Sequence, residues 1–208
     1  MMNIRLNSIS KSFSKKEVIE DLTFEFSESS MTAIAGENAS GKTTLLKIIV
    51  GLINQTNGEV IYEKNKKTLS YDKAKRYLGM SGNNEFVIED FSGLEYFQFI
   101  RKIYKISKDR YNTVFQDLLD NLGINPEIFS YEISSYSTGY TKLTEIMGML
   151  LYQPEVILLD EPLNSLDDKH SVNLQDYLIH LKNRGKTIII ATHHESFIND
   201  CCDKVLKL

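Results

Sequence analysis

Eight residues, Gly36-Glu37-Asn38-Ala39-Ser40-Gly41-Lys42-Thr43, have the types and spacing G-x-x-x-x-G-K-[ST] of a loop that wraps nucleotide phosphates. Glycines at both ends permit positive φ, which lets backbone N–H groups turn inward on one anion. The helix expected from Thr43 to Val50 aims its positive end at the same place. In such a loop Lys42 bridges the β- and γ-phosphates, Thr43 offers its hydroxyl to Mg²⁺, and Thr44 can add a contact to the α-phosphate. Much later, Asp160 and Glu161 end the apolar run that starts at Val156. A phosphate loop calls for a metal ligand and for a group that orients water. Asp160 suits the first role, and Glu161 suits the second as general base or orienter beyond the γ-phosphate. His193 ends another apolar run and, taken with these groups, reads as a γ-phosphate contact.

The elements that must position these side chains are legible around them. Met31 to Ala35 is a short apolar run of strand length leading into the loop, and Leu45, Leu46, Ile48 and Ile49 give the following helix an apolar face that stops at Gly51. Val156 to Leu159 and Thr187 to Thr192 read as central strands covered on both faces, separated by a helix from Asp168 to Arg184. Ligands of open α/β sheets bind at the carboxyl ends of the strands, so Lys42, Asp160, Glu161 and His193 are expected near one crevice. Ahead of the loop, Ile4, Leu6 and Ile9 and then the alternating Leu22, Phe24 and Phe26 predict antiparallel strands. Glu59 to Tyr62, after a turn at Asn57-Gly58, and Arg76 to Met80 predict two more. From Gly93 the period becomes helical. Leu94, Phe97, Phe99, Ile100, Ile103 and Tyr104 predict one helix, Tyr111 to Leu122 predict a second that ends at Gly123, and their aromatics read as core.

A length of 208 residues suits one domain with a subdomain and a sizeable core. The net charge of −4, with no basic face, argues against a nucleic-acid role. No apolar stretch has the length of a membrane span, and the N-terminus lacks an apolar signal core, so the expectation is a cytosolic protein or one held at a membrane by a partner. Cys201 and Cys202 are adjacent, which suits neither a mutual bridge nor a metal site, and they read as buried reduced thiols.

Nearly end to end, the chain resembles the ATP-binding subunits of ABC transporters. Gly36 to Thr43 looks like the Walker A loop, Val156 to Glu161 like Walker B with its catalytic glutamate, Asn164-Ser165-Leu166-Asp167 like the D-loop, and Thr192-His193 like the switch histidine. Tyr136-Ser137-Thr138-Gly139-Tyr140 resembles the signature L-S-G-G-Q, with Thr138 and Tyr140 as departures. The resemblance implies that Phe13 stacks on adenine, and that Ser137 and Gly139 of one subunit close over ATP held by another. Ser137, at a helix start, also offers a hydroxyl and N–H groups to an anion. The family's Q-loop glutamine, which meets Mg²⁺ and the membrane partner, falls on Asn83.

The fold so implied is α/β. It has a P-loop NTPase core with a mostly parallel sheet, an N-terminal antiparallel β subdomain and a small helical subdomain inserted at 84–150 of a single domain over 1–208. The activity implied is hydrolysis of ATP with Mg²⁺ in a homo- or heterodimer. It would power a separately encoded permease, of the exporter kind, on the inner face of the cell membrane, with no nucleic acid involved. A soluble ABC-type ATPase outside transport and an ATP-binding regulatory or immunity subunit are the alternatives. No appended regulatory domain is expected, since the last predicted strand lies close to the end of the sequence.

Overall fold

The computed structural model describes residues 2–14, 16–82 and 84–208. In chain order the elements begin with β1 (Met2–Phe13), β2 (Lys16–Phe26), β3 (Met31–Ala35), α1 (Lys42–Ile49), β4 (Asn57–Lys64), β5 (Lys67–Leu69), α2 (Tyr71–Ala74) and β6 (Leu78–Ser81). There follow α3 (Gly93–Ile103), α4 (Lys108–Leu122), α5 (Thr138–Leu151), β7 (Val156–Asp160), α6 (Asp168–Asn183), β8 (Thr187–Ala191), α7 (Glu195–Cys201) and β9 (Lys204–Lys207). They group into two compact units. One holds the residues up to Met80 with Pro154–Glu161 and Ile179–Leu208, and the other holds Ser81–Gln153 with Pro162–Leu178.

The first unit contains two sheets. An antiparallel sheet has the order β2-β1-β4-β5, and its alternation is visible in β2, where Leu22 and Phe24 are half-buried, Phe26 is buried and the intervening residues face solvent. The second sheet has the order β6-β7-β8-β3-β9, with β7, β8, β3 and β9 paired in parallel. Every residue of β7 and of β8 is buried, as expected of strands covered on both faces. Register makes the carboxyl ends of the central strands level: Ile34 pairs with Ala191, and Ala191 pairs with Asp160. That row is the ledge from which the phosphate loop and the acidic pair project. Leu45, Leu46, Ile48 and Ile49 of α1 are all buried in the same core as Leu158 and Ile189, so the helix that follows the loop is fastened to the sheet.

The second unit is mostly helical. A Ser92–Glu95 capping box starts α3, Ser107 caps α4, and Gly123, at φ 67°, ends α4 as the sequence predicts. Phe97, Phe115 and Phe129 form its aromatic core, with ring centroids 4.9 to 6.1 Å apart.

Several local expectations shift. The Asn57-Gly58 pair opens β4 itself, opposite a register break between Asn7 and Ser10, and does not form a separate turn. Arg76 lies in a short 3-10 turn, and the strand starts two residues later at Leu78. On α3 only part of the apolar set is core: Tyr96 and Phe97 are buried, whereas Leu94, Phe99, Ile103 and Tyr104 are exposed. The reason is geometric, since two apolar faces cannot both point into a unit this small, and a helical period does not say which face wins. Cys201 is buried and Cys202 half-buried, neither in a disulfide, and burial together with neighbouring Cys201 and Asp203 pushes the Cys202 thiol up to about 12.

Candidate functional site

The phosphate loop has the backbone that its sequence calls for. Ala39, at φ 64°, and Gly41, at φ 105°, are both left-handed, and alternation of this kind turns successive N–H groups into a concave anion site. Gly36 is needed for another reason: a side chain there would meet Ser40 Oγ at 2.5 Å and the Leu208 carbonyl at 2.7 Å. The Ser40 hydroxyl is buried with no hydrogen-bond partner among the described residues. An orphaned hydroxyl costs about 1–3 kcal/mol, and a phosphate oxygen would relieve it. Lys42 is almost fully buried, and its ammonium donates to the carbonyls of Gly36 at 2.8 Å and Glu37 at 3.0 Å, folded across the loop it belongs to.

Next to it, the Thr43 hydroxyl donates to Asp160 Oδ2 at 2.6 Å. A hydroxyl and a carboxylate at this distance are hard oxygen donors, of the chemistry Mg²⁺ accepts, so these two residues fit the metal of a magnesium nucleotide. Glu161 follows the last residue of β7, at φ 46°, a strained value for a residue with a side chain. Its N–H donates to the Ala191 carbonyl at 2.8 Å, which anchors the backbone while the carboxylate is re-aimed. That carboxylate accepts from His193 Nδ1, at 3.0 and 3.1 Å to its two oxygens, and lies 3.9 Å from the Lys42 ammonium. The imidazole is held at the end of β8 because Thr192, fully buried, donates its N–H to the Ile34 carbonyl at 3.1 Å.

Lys42, Thr43, Asp160 and Glu161 line one cavity of about 390 Å³, together with Asn38, Ala39, Thr44 and, at its rim, Phe13. The volume is of the size used for small ligands. Phe13 is 48% exposed, with the Lys11 ammonium 4.7 Å from the ring centroid, so it is no core residue. Lys16 and Val18 also line this cavity, and the sequence carried no sign of either. They arrive through the hairpin, in which Phe13 pairs with Lys16.

Ser137 and Gly139 belong to the second unit. Ser137 caps α5, its exposed hydroxyl accepting from the Tyr140 N–H at 3.3 Å. Gly139 is buried, and a Cβ on it would come within 2.4 Å of the Ser165 carbonyl, so the start of α5 packs on the Asn164–Asp167 turn. In that turn Asp167 holds His170, accepting from its backbone N–H and pairing with its ring Nδ1, each at 2.8 Å.

Asn83 lies outside the described residues. Its flanking segment is tied to α5 by two buried charged residues that sequence reasoning missed. Glu145 accepts from Ser81 Oγ at 2.6 Å and from the Phe86 N–H at 3.1 Å, and the Lys142 ammonium donates to the Gly82 carbonyl. Burial raises the Glu145 carboxyl above the ordinary range, against the lowering pull of these hydrogen bonds and of Lys142. The available signal was a pair of opposite charges three residues apart on an otherwise uncharged helix.

Comparison with known proteins agrees with this geometry. A family model described as ABC transporter matches residues 19–164. The chain is 30% identical over 209 residues to the uncharacterized ABC transporter ATP-binding protein YybJ of Bacillus subtilis (strain 168), an alignment covering 99% of this chain and 92% of that protein. It is 28% identical to YhcH of the same organism, another uncharacterized ABC transporter ATP-binding protein, across 99% of this chain but 66% of that one. A solved dimeric ATP-binding cassette in a post-hydrolysis state, bound to ADP and Pi, superposes with a TM-score of 0.85 at 20% identity, over 99% of this chain and 94% of its own.

Proposed function

The chain belongs to the ABC transporter family as an ATP-binding, ATP-hydrolysing cassette that takes its nucleotide with Mg²⁺, and we propose that it works as a dimer that powers a separately encoded membrane permease, an exporter. One observation carries the hydrolytic part of the proposal: the Glu161 carboxylate, the His193 imidazole and the Lys42 ammonium meet beside the Thr43–Asp160 pair at one sheet edge.

The roles follow from that arrangement. On ATP entry the Lys42 ammonium leaves the Gly36 and Glu37 carbonyls for the β- and γ-phosphates, while the loop from Gly36 to Thr43 supplies N–H donors and Thr44 reaches the α-phosphate. Thr43 and Asp160 would hold Mg²⁺, which when bound would neutralise the charge that develops on the phosphates. Glu161 orients a water and takes its proton as the water oxygen bonds to the γ-phosphorus and the bond from that phosphorus to the β,γ-bridging oxygen breaks, releasing ADP, and His193 keeps the carboxylate aimed and can donate to the γ-phosphate. Phe13 stacks on the adenine. Ser137 and Gly139, at the exposed start of α5, complete the site of the other subunit, and Asn83 couples nucleotide to permease. ATP therefore biases a two-state dimer, and hydrolysis releases it. We further propose that 1–208 acts as one ABC-type domain with its helical part inserted at 84–150.

A membrane partner is supported by the surface of the second unit. Leu94 and Phe99 are exposed, and with Phe91 they line an apolar groove of about 370 Å³ edged by Glu95 and Lys102. No helix among the described residues is long and apolar enough to cross a membrane, so the chain would sit peripherally on the inner face through its permease.

The test pairs two measurements. Glu161→Gln should keep ATP binding, lower turnover by about two to four orders of magnitude, and run as a dimer in MgATP. The tagged wild type should co-purify with a multi-span membrane protein, and Phe99→Asp should break that association. Wild-type turnover in Glu161→Gln removes Glu161 from the mechanism, and purification from membranes with no multi-span partner overturns the transport reading.

A further inference from the structure

His194 has no place in the hydrolytic scheme above, yet its ring stacks on that of His193, with centroids 4.6 Å apart and planes inclined by 27°. One ligand atom from each of Glu161, His193 and His194 falls within 4.8 Å of the others. We infer that these three side chains form a binding site for a divalent metal of the Zn²⁺ class, and that filling it arrests ATP hydrolysis while leaving ATP binding intact.

The donor set selects the metal. Two imidazoles and one carboxylate suit Zn²⁺, Co²⁺, Ni²⁺ or Cu²⁺, whereas the neighbouring Thr43–Asp160 pair is all oxygen and suits Mg²⁺. Two adjacent donor sets of different softness can therefore sort two metals within one crevice. Geometry allows the closure. Metal–ligand distances of about 2.0–2.2 Å in a tetrahedron place ligand atoms roughly 3.3 Å apart. Glu161 and His193 already stand at 3.0 and 3.1 Å, so the remaining approach falls mainly to the His194 ring. His193 is exposed and His194 half-buried, so the cluster is open to a metal arriving from solvent. Their backbone is fixed by the Thr192 N–H on the Ile34 carbonyl and by the His194 N–H on Thr192 Oγ1 at 3.2 Å. Three protein ligands leave a fourth position for water, which is an open site.

Occupation has a defined consequence. A metal held by the Glu161 carboxylate takes the lone pairs that would accept the proton of water, and one held by His193 takes its ring nitrogen. Lys42 and the loop backbone are untouched, so ATP still binds. This effect on turnover rests on the Glu161 assignment proposed above. The metal binding does not.

The experiment uses the full nucleotide-free chain without Mg²⁺, titrated with Zn²⁺ against a chromogenic chelator. We expect one equivalent of tightly held Zn²⁺ in the wild type and at least about a tenfold weaker affinity in His194→Ala, the scale seen when support of a metal site is lost. Co²⁺ serves as a spectroscopic probe on the wild type, where visible d–d bands without thiolate charge transfer are expected. Affinity unchanged by His194→Ala, or a thiolate band marking Cys201 and Cys202 as the ligands, overturns the site. In saturating MgATP, Zn²⁺ should suppress wild-type turnover and should need at least about ten times the concentration to do so in His194→Ala, whose turnover without Zn²⁺ stays at the wild-type level. Tight binding lost in His194→Ala, but without inhibition of the wild type, upholds the site and overturns the role of Glu161 in hydrolysis.

Discussion

Phe13 offers the cleanest separation of nucleotide recognition from folding. The side chain is 48% exposed at the rim of the cavity, and its visible partner is the Lys11 ammonium 4.7 Å from the ring centroid. Truncation to Ala therefore removes little buried area. Exposed substitutions of this kind move stability by about 0.5 kcal/mol, and loss of an exposed cation–π contact adds about 0.5–1 kcal/mol. A core phenylalanine would instead cost about 3–5 kcal/mol, so the two origins are well separated. Stacking on adenine is worth on the order of 1 kcal/mol, which is about a fivefold rise in Kd. Calorimetric titration with MgATP should show that rise in Phe13→Ala, while denaturant unfolding without nucleotide should differ from the wild type by about 1 kcal/mol or less. Phe13→Trp, which keeps an aromatic face, should restore affinity. Two results would refute the reasoning: an unchanged Kd in Phe13→Ala, or a loss of unliganded stability on the scale of a core cavity.

MgATP at about a hundredfold over its Kd should stabilise the wild type by about 2.7 kcal/mol and raise its Tm, and Lys42→Ala should remove the shift; an equal shift in the variant refutes the phosphate-loop role of Lys42. Gly139→Ala places a methyl 2.4 Å from the Ser165 carbonyl, so it should cost about 1–3 kcal/mol in unfolding measurements by displacing the Asn164–Asp167 turn, and an unaltered unfolding midpoint would sink that packing role. Glu145 yields a pH dependence. Because burial raises its folded-state pKa, folding favours its protonated form relative to the unfolded chain. Its contribution is thus fully present below the ordinary carboxylate value of 4.5 and is lost as pH rises through the raised value. The stability of Glu145→Gln relative to the wild type should therefore improve as pH is raised from 4 towards neutrality in parallel urea titrations, and a pH-independent difference excludes this effect.

The difference between what could and could not be read in the sequence is a difference between local and non-local causes. The phosphate loop is legible because one anion must be met by consecutive N–H groups, and only Gly36, Gly41 and a tolerated left-handed Ala39 allow it. β7 and β8 are legible because strands covered on both faces have no polar residue in their interior, only Asp160 and Thr187 at their ends, and β3 runs straight into the loop. The level register of Ile34, Ala191 and Asp160, which makes these separate segments one site, is written in no single stretch of chain. The side chains that were misread or missed share that origin. Phe99 and Leu94 have core-like types and spacing, and only the packing of Tyr96 and Phe97 on the opposite side leaves them outside. Lys16 reaches the cavity through a strand pairing, and Lys142 and Glu145 acquire meaning only because Ser81, Gly82 and Phe86 need partners some sixty residues away. His194 lies at the same boundary: beside His193 it is an unremarkable neighbour in the chain, and it gains a metal chemistry only because Glu161, delivered by a different strand and bent to φ 46°, faces both rings.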